Sequence, residues 1–195
     1  MANRTLFLTQ YAPPRPAAAA RRLGQLIARA VREDEAVFVI RGDRGYGGAE
    51  VAGAQVFPLP LSDLRTVVSN RPAGTLRADS RVWSLLEWLR PLRQTFPLVY
   101  VADDGGRAYR RRAYALAERL VREEGITHLV SSFRPWADHL VARRLKRRFP
   151  HLHWTADFRD LPVDTVREFT LWPALQRRWT RRMLRRADVD RKSVV

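Results

Sequence analysis

The sequence contains no cysteine. Disulfide bonds, cysteine-based zinc sites and a thiol nucleophile are therefore excluded. Long apolar runs are missing too: even the run Val37–Ile40 is far too short to cross a bilayer. The N-terminal segment holds only the apolar stretch Leu6–Leu8, which is too short for a signal peptide. We therefore expect a cytoplasmic protein.

Lysine is scarce: Lys146 and Lys192 are the only two, and all other members of the 36 basic residues are arginine. Only 20 residues are acidic, so the formal net charge is +16. This balance favours an anionic partner, such as nucleic acid, acidic lipid or a phosphorylated substrate. An ordinary solvated surface is an equally good explanation, because most arginines fall on the polar faces of predicted helices.

Apolar segments and amphipathic segments alternate along the chain, and 46% of the residues are hydrophobic. The alternation predicts an α/β fold, a Rossmann-like parallel sheet with helices on both faces. The predicted strands are Arg4–Thr9, Ala36–Arg41, Gln55–Leu59, Pro97–Ala102, Thr127–Ser131 and His151–Ala156. The predicted helices are Ala17–Arg32, Arg81–Gln94, Arg107–Glu124, Pro135–Arg148 and Trp172–Ala187, with a short one after Ser62-Asp63. We expect one domain over residues 1–195.

Ligand sites of parallel sheets lie at the carboxyl ends of the strands, so the loops that follow each strand are the candidates. The first loop, Tyr11–Pro16, is rich in proline and leads into a helix. The N-terminus of that helix can bind an anion beside Arg15, Arg21 or Arg22. A rigid connector is the alternative. The glycine-rich loop Gly42–Gly53 does not match the dinucleotide fingerprint, because no helix opens directly from it.

The strand Thr127–Ser131 is followed by Ser132, Arg134 and His139. His139 falls four residues after Pro135, so its ring is expected to point back to the strand end. There it can act as a base or bind a sugar hydroxyl. A structural histidine is the alternative.

An acid–base–acid segment, Asp157-Phe158-Arg159-Asp160, follows the strand His151–Ala156. Such a cluster is costly to bury unless its charges are paired. An internal ion network and a functional site therefore both remain open. Asp103-Asp104 precedes two glycines and is expected to cap a helix. The four histidines show no i, i+4 pair, so no metal site is expected.

The last predicted helix combines aromatic and basic residues. Trp172 and Trp179 lie at helical spacing, and six arginines, including Arg178 and Arg182, fill the other sides. Such a helix can lie on an anionic membrane surface. A packed helix with a solvated arginine face is the alternative.

Three stretches, in their order and spacing, resemble the N-terminal half of family-four glycosyltransferases of the two-lobed GT-B class. Leu6–Leu26 is similar to the opening strand, proline turn and "aaRR" helix of that family. Thr127–Asp160 is similar to the run with a strand ending in "SS-P", a helix carrying "HL" and a "DFRD" corner. Arg181–Val189 looks like the family's "AD-V" helix end.

The resemblance implies that this lobe binds the acceptor, while a second lobe holds a nucleotide-sugar donor. It implies no cofactor within this chain. The expected reaction is sugar transfer to a lipid-linked or glycan acceptor in cell-envelope polysaccharide synthesis, at the inner face of the membrane. By position, the expected acceptor-binding residues are Tyr11, Arg15, Arg21, Arg22, Ser132, Arg134 and Arg159, and the expected catalytic residues are His139 and Asp160.

Two departures from the family pattern bear on these expectations. Leu161-Pro162 stands where the family usually has Pro-Trp, and Ala17–Ala20 stands where glycines are common. No donor lobe is expected within these residues, so the chain alone is expected to be inactive. A non-specific nucleic-acid-binding protein and a non-catalytic module that pairs with a separate donor lobe are the alternatives. Specific nucleic-acid recognition is not expected, because no recognition motif is present.

Overall fold

The computed structural model describes residues 3–15, 17–34, 36–43, 51–61, 106–133, 136–158 and 172–192. The predicted helices after Ser62 and over Arg81–Gln94, the predicted strand Pro97–Ala102 and the Asp103-Asp104 turn lie outside the described residues.

Six parallel strands form one sheet in the order β3-β2-β1-β4-β5-β6. The strands are β1 (Arg4–Thr9), β2 (Ala36–Asp43), β3 (Gln55–Pro60), β4 (His128–Phe133), β5 (His153–Phe158) and β6 (Val189–Lys192). The described helices are α1 (Ala18–Glu33), α2 (Gly106–Glu123), α3 (Trp136–Arg148) and α4 (Pro173–Leu184). The predicted Rossmann-like α/β fold is confirmed. The strand order reverses between β1 and β4, which is where such sheets form a crevice.

The sheet is buried on both faces because its central strands are continuously apolar. Successive side chains of a strand point to opposite faces. Leu6, Leu8 and Ile40 face one side, where α2 and α3 pack. Phe7 and Val39 face the other side, against α1.

Helices α2 and α3 pack against each other as well as against the sheet. Leu116 and Leu140 are half-buried and pack against the core. Ala117 and Ala142 are fully buried between the helices and the sheet. These small side chains face both the neighbouring helix and the sheet. The sequence spacing alone does not predict this orientation.

Four strands extend further than predicted at their carboxyl ends: β3 by one residue, and β2, β4 and β5 by two. Strand β2 continues through Gly42 to Asp43. A Cβ atom at Gly42 would lie 2.6 Å from Cδ1 of Leu61 and 3.2 Å from Cβ of Gln10. Strand β4 likewise continues to Phe133. Because Gly42 has no side chain, the end of β2 can lie close to Leu61 and Gln10 at the carboxyl edge of the sheet.

Strand β6 is absent from the prediction, which carried the last helix on to Ala187. The helix α4 ends at Leu184. Asp188 then accepts a hydrogen bond from the backbone N–H of Trp154 (2.7 Å) and pairs with Lys146. Burial raises the pKa of Asp188, but these two donors outweigh it, so the pKa is lowered. This anchor starts the pairing of β6 with β5.

Candidate functional site

The carboxyl edge of the sheet begins with the proline turn after β1. Ala12 is buried, and the turn packs on α1: a Cβ atom at Gly24 would lie 2.8 Å from Cγ of Pro13. The Arg15 guanidinium lies 3.9 Å from the centre of the Tyr11 ring, a cation–π arrangement. The turn is therefore held against the first helix, with Tyr11 and Arg15 stacked at the edge.

An ion pair joins this region to the end of β5. Nη2 of Arg22, in the second turn of α1, lies 2.5 Å from Oδ1 of Asp157. The Arg22 side chain is 30% exposed, whereas that of Asp157 is 2% exposed. Residues 135 positions apart thus meet at the carboxyl edge. The proline-turn helix and Asp157 therefore share one edge of the sheet.

The second oxygen of the same carboxylate, Oδ2 of Asp157, is buried and has no hydrogen-bond partner among the described residues. A buried carboxylate oxygen without a donor is unusual and calls for an explanation. Asp157 lines an open groove of about 320 Å³ between α1 and the sheet, which extends past Val130 toward Thr5 and Glu33, away from the carboxyl edge. Ser132 is the register partner of Asp157 in β4 and points to the same face.

A different polar cluster lies on the opposite face of the sheet, under α3. Asp138, in the first turn of α3, is fully buried. Its carboxylate accepts hydrogen bonds from the backbone N–H of Gln10 (3.1 Å) and the hydroxyl of Tyr109 (2.7 Å). Burial, followed by the charge of Asp138 and their hydrogen bond, raises the pKa of Tyr109 well above its usual value. Tyr109 therefore stays protonated and keeps donating.

His139 lies beside this cluster, and its ring does point back to β4. Its Nδ1 is 2.6 Å from the hydroxyl of Ser131, which also accepts a hydrogen bond from Nε1 of Trp154 (2.8 Å). Because Trp154 can only donate, the Ser131 hydroxyl is free to donate its proton to Nδ1, which leaves the ring proton on Nε2. Nε2 has no hydrogen-bond partner within the part of the chain that the structure describes.

Aromatic rings enclose His139. The centre of the Phe158 ring is 4.6 Å away, that of Phe133 is 6.2 Å away and stacked, and Trp136 lies edge-on at 6.1 Å. Burial lowers the pKa of His139 to about 3. The imidazole is therefore neutral and sealed at neutral pH. Its predicted catalytic role stays a prediction.

The other predicted site residues are distributed unevenly. Tyr11, Arg15, Arg22 and Ser132 lie at the carboxyl edge, whereas Arg21 is exposed on α1. Arg134, Arg159 and Asp160 lie outside the described residues. Asp138 and the unpartnered oxygen of Asp157 were missed by the site prediction. A carboxylate within the first turn of a helix, next to a predicted site histidine, was the available signal for Asp138.

Helix α4 leaves two large apolar side chains exposed. Gln176, Thr180 and Met183 face inward, and Trp172 and Leu175 are exposed at 62% and 44%. Arg178 and Arg182 line a groove on the outer side, and Trp179 is half-buried with Arg182 near its ring. The basic face and the two exposed apolar side chains therefore both reach the surface.

Two features are absent from the described residues. No described helix is long and apolar enough to cross a membrane. No group of three histidine or acidic side chains among the described residues can hold a metal ion. No protein-family model matches the chain, and no curated protein matches its sequence.

Proposed function

We propose that this chain is the acceptor-binding lobe of a glycosyltransferase of the two-lobed GT-B class. The complete enzyme transfers a sugar from a nucleotide-sugar to a lipid-linked or glycan acceptor in cell-envelope polysaccharide synthesis. The ion pair between Arg22 and Asp157 carries this proposal. It brings together, at the carboxyl edge of a parallel sheet, two of the stretches on which the family resemblance rests.

The chemistry of the pair suits a sugar hydroxyl. Oδ2 of Asp157 is an acceptor that lacks a donor among the described residues, and a hydroxyl supplies one. A hydrogen bond to a carboxylate is stronger than one between neutral groups, and a buried setting strengthens it further. Arg22 fixes the carboxylate through Oδ1 and is a positioning residue. A neutral, polyhydroxylated acceptor is therefore the ligand class that this site favours.

The donor belongs to a second lobe, in the same or a separate polypeptide. Transfer requires the donor and the acceptor to be held in line, so this chain alone turns over little or nothing. In this proposal the enzyme acts in the cytoplasm, at the inner face of the membrane.

Binding of the isolated chain to an array of mono- and oligosaccharides, presented free and as farnesyl-diphosphate conjugates, tests the proposal. We expect one or a few of these acceptors to bind. The variant R22Q releases the Asp157 carboxylate and is expected to weaken binding about tenfold, the effect of losing a charge-assisted hydrogen bond in a site.

The matched control is R32Q, which removes an equally charged, exposed arginine from the far end of α1. It is expected to leave binding unchanged. The proposal is overturned if no acceptor on the array binds to folded protein, or if R22Q and R32Q bind the acceptor equally well.

A further inference from the structure

Helices α3 and α4 carry a surface that we call the arginine surface. Its members are Arg143 and Arg147 of α3, and Arg177, Arg178, Arg181, Arg182, Arg185 and Arg186 of α4. None of them forms an ion pair with a carboxylate of the described chain.

Some helical arginines elsewhere in the described chain have acidic partners on their own helix. Arg29 pairs with Glu33 and Arg122 pairs with Glu118, each four residues apart on one helix. Helix α4 contains no acidic residue, and the only one in α3, Asp138, is buried in the opposite direction. Within the described ranges, no carboxylate therefore pairs with the arginine surface.

The charges of the two helices lie close enough to oppose one another. Partial burial, followed by the neighbouring charges of Arg147, Arg182 and Arg186, lowers the pKa of Arg143. Because α3 and α4 are in contact, their arginines form one basic surface. Like charges held together in this way are stabilised by an external anionic surface.

Apolar side chains adjoin this charge. Trp172 and Leu175 lie three residues apart at the start of α4 and are 62% and 44% exposed. Because α4 follows β5 and precedes the parallel strand β6, it starts at the carboxyl edge of the sheet. Trp172 and Leu175 therefore lie on the same edge as Asp157.

We infer that the arginine surface docks on an anionic phospholipid bilayer, with Trp172 and Leu175 entering the headgroup region. Tryptophan with a leucine beside a cationic helix face is the composition that interfacial helices use. Nucleic acid would also attract the charge, so binding to duplex DNA is a separate outcome of the test below. This inference stands without the acceptor assignment. One consequence rests on the proposed function: when the arginine surface is docked, the bilayer lies at the same edge of the sheet as the acceptor site.

Flotation of the whole chain with lipid vesicles tests the inference. Vesicles of phosphatidylcholine alone are compared with vesicles containing about one third phosphatidylglycerol, at low and high salt, since screening weakens surface charge. We expect binding to the anionic vesicles only, weaker at high salt. At about 1 kcal/mol per arginine near the surface, R178Q/R182Q is expected to lower affinity roughly 20- to 30-fold.

The control variant R29Q/R32Q removes the same charge from α1, on the opposite face of the sheet, and is expected to change affinity less than about threefold. W172A/L175A tests the apolar contribution and is expected to weaken vesicle binding but not binding to a short DNA duplex. Circular dichroism confirms that each variant is folded.

Three results overturn the inference. One is an absence of binding to anionic vesicles, and another is an equal loss of affinity in R178Q/R182Q and R29Q/R32Q. The third is tighter binding to duplex DNA than to anionic vesicles at the same salt, with no effect of W172A/L175A on vesicle binding, which assigns the surface to nucleic acid.

Discussion

The two faces of the sheet differ at the carboxyl edge. Under α3, the carboxylate of Asp138 accepts hydrogen bonds from Gln10 and Tyr109, and all of this lies in a closed layer. Under α1, the carboxylate of Asp157 pairs with a partly exposed arginine and keeps one oxygen without a donor. Both residues are buried aspartates near the carboxyl edge of the sheet. In our proposal, Asp138 on the α3 face stabilises the fold and Asp157 on the α1 face binds the ligand.

His139 belongs to the closed side of this comparison. Its bond to Ser131 and its aromatic enclosure are features of a structural histidine. The sequence pattern left a structural histidine open as the alternative to a catalytic one. The observed contacts are those of a structural histidine, and the catalytic role stays a prediction.

Removing the buried carboxylate of Asp138 is expected to have the largest effect on stability. In D138A, the N–H of Gln10 and the hydroxyl of Tyr109 lose their buried acceptor. Each unsatisfied group costs about 1–3 kcal/mol, so we expect a loss of about 3 kcal/mol in the free energy of unfolding by urea titration. The control E123A, at an exposed position on α2, is expected to change little. A loss below about 1 kcal/mol in D138A contradicts a structural role.

The pH dependence of stability tests the sealed histidine. The folded pKa of His139 is lowered to about 3 by burial, whereas an unfolded histidine titrates near pH 6.5. Its stabilising contribution is therefore complete above about pH 6.5 and is lost as the pH falls, because only the unfolded chain takes up the proton. We expect His139 to account for a loss of about 2 kcal/mol between pH 7 and pH 5.

The variant H139Q cannot titrate, so its stability curve is expected to be flatter than that of the wild type over this interval. H151Q, at an exposed histidine, is the control and is expected to keep the wild-type slope. Parallel curves for wild type and H139Q would show that the ring is accessible to protons in the fold.

The anchor of β6 at Asp188 is expected to contribute less to the free energy of unfolding than Asp138 or His139. D188N keeps an oxygen for the N–H of Trp154 but loses the charge that pairs with Lys146. Because the site is partly exposed, we expect a loss of up to about 1 kcal/mol at neutral pH. The lowered pKa of Asp188 means that this difference is lost as the pH falls through the folded value. A difference that persists in strong acid contradicts an electrostatic anchor.

Local patterns predicted the central strands well. The predicted bounds of β1 are those observed, and α1 is displaced by one residue at each end. Both segments have a continuous apolar run or a clear helical stripe, so their own composition determines them.

The features that were missed depend on distant partners. Strand β6 has only four residues and relies on β5 and on the anchor at Asp188. The burial of Asp138 depends on Tyr109 and Gln10, which are 29 and 128 positions away. In α4, Gln176 and Thr180 are buried while Trp172 is exposed, and the apolar spacing of the helix does not predict this. No local pattern specifies such contacts.

We assign Asp157 to acceptor binding and not to the stability of the fold. The most direct measurement takes D157N and determines, on the same preparation, its free energy of unfolding and its affinity for an acceptor that the wild type binds. We predict a change of less than about 1 kcal/mol in unfolding and a loss of about tenfold or more in affinity. A variant that loses several kcal/mol of stability and binds the acceptor as the wild type does would contradict the account.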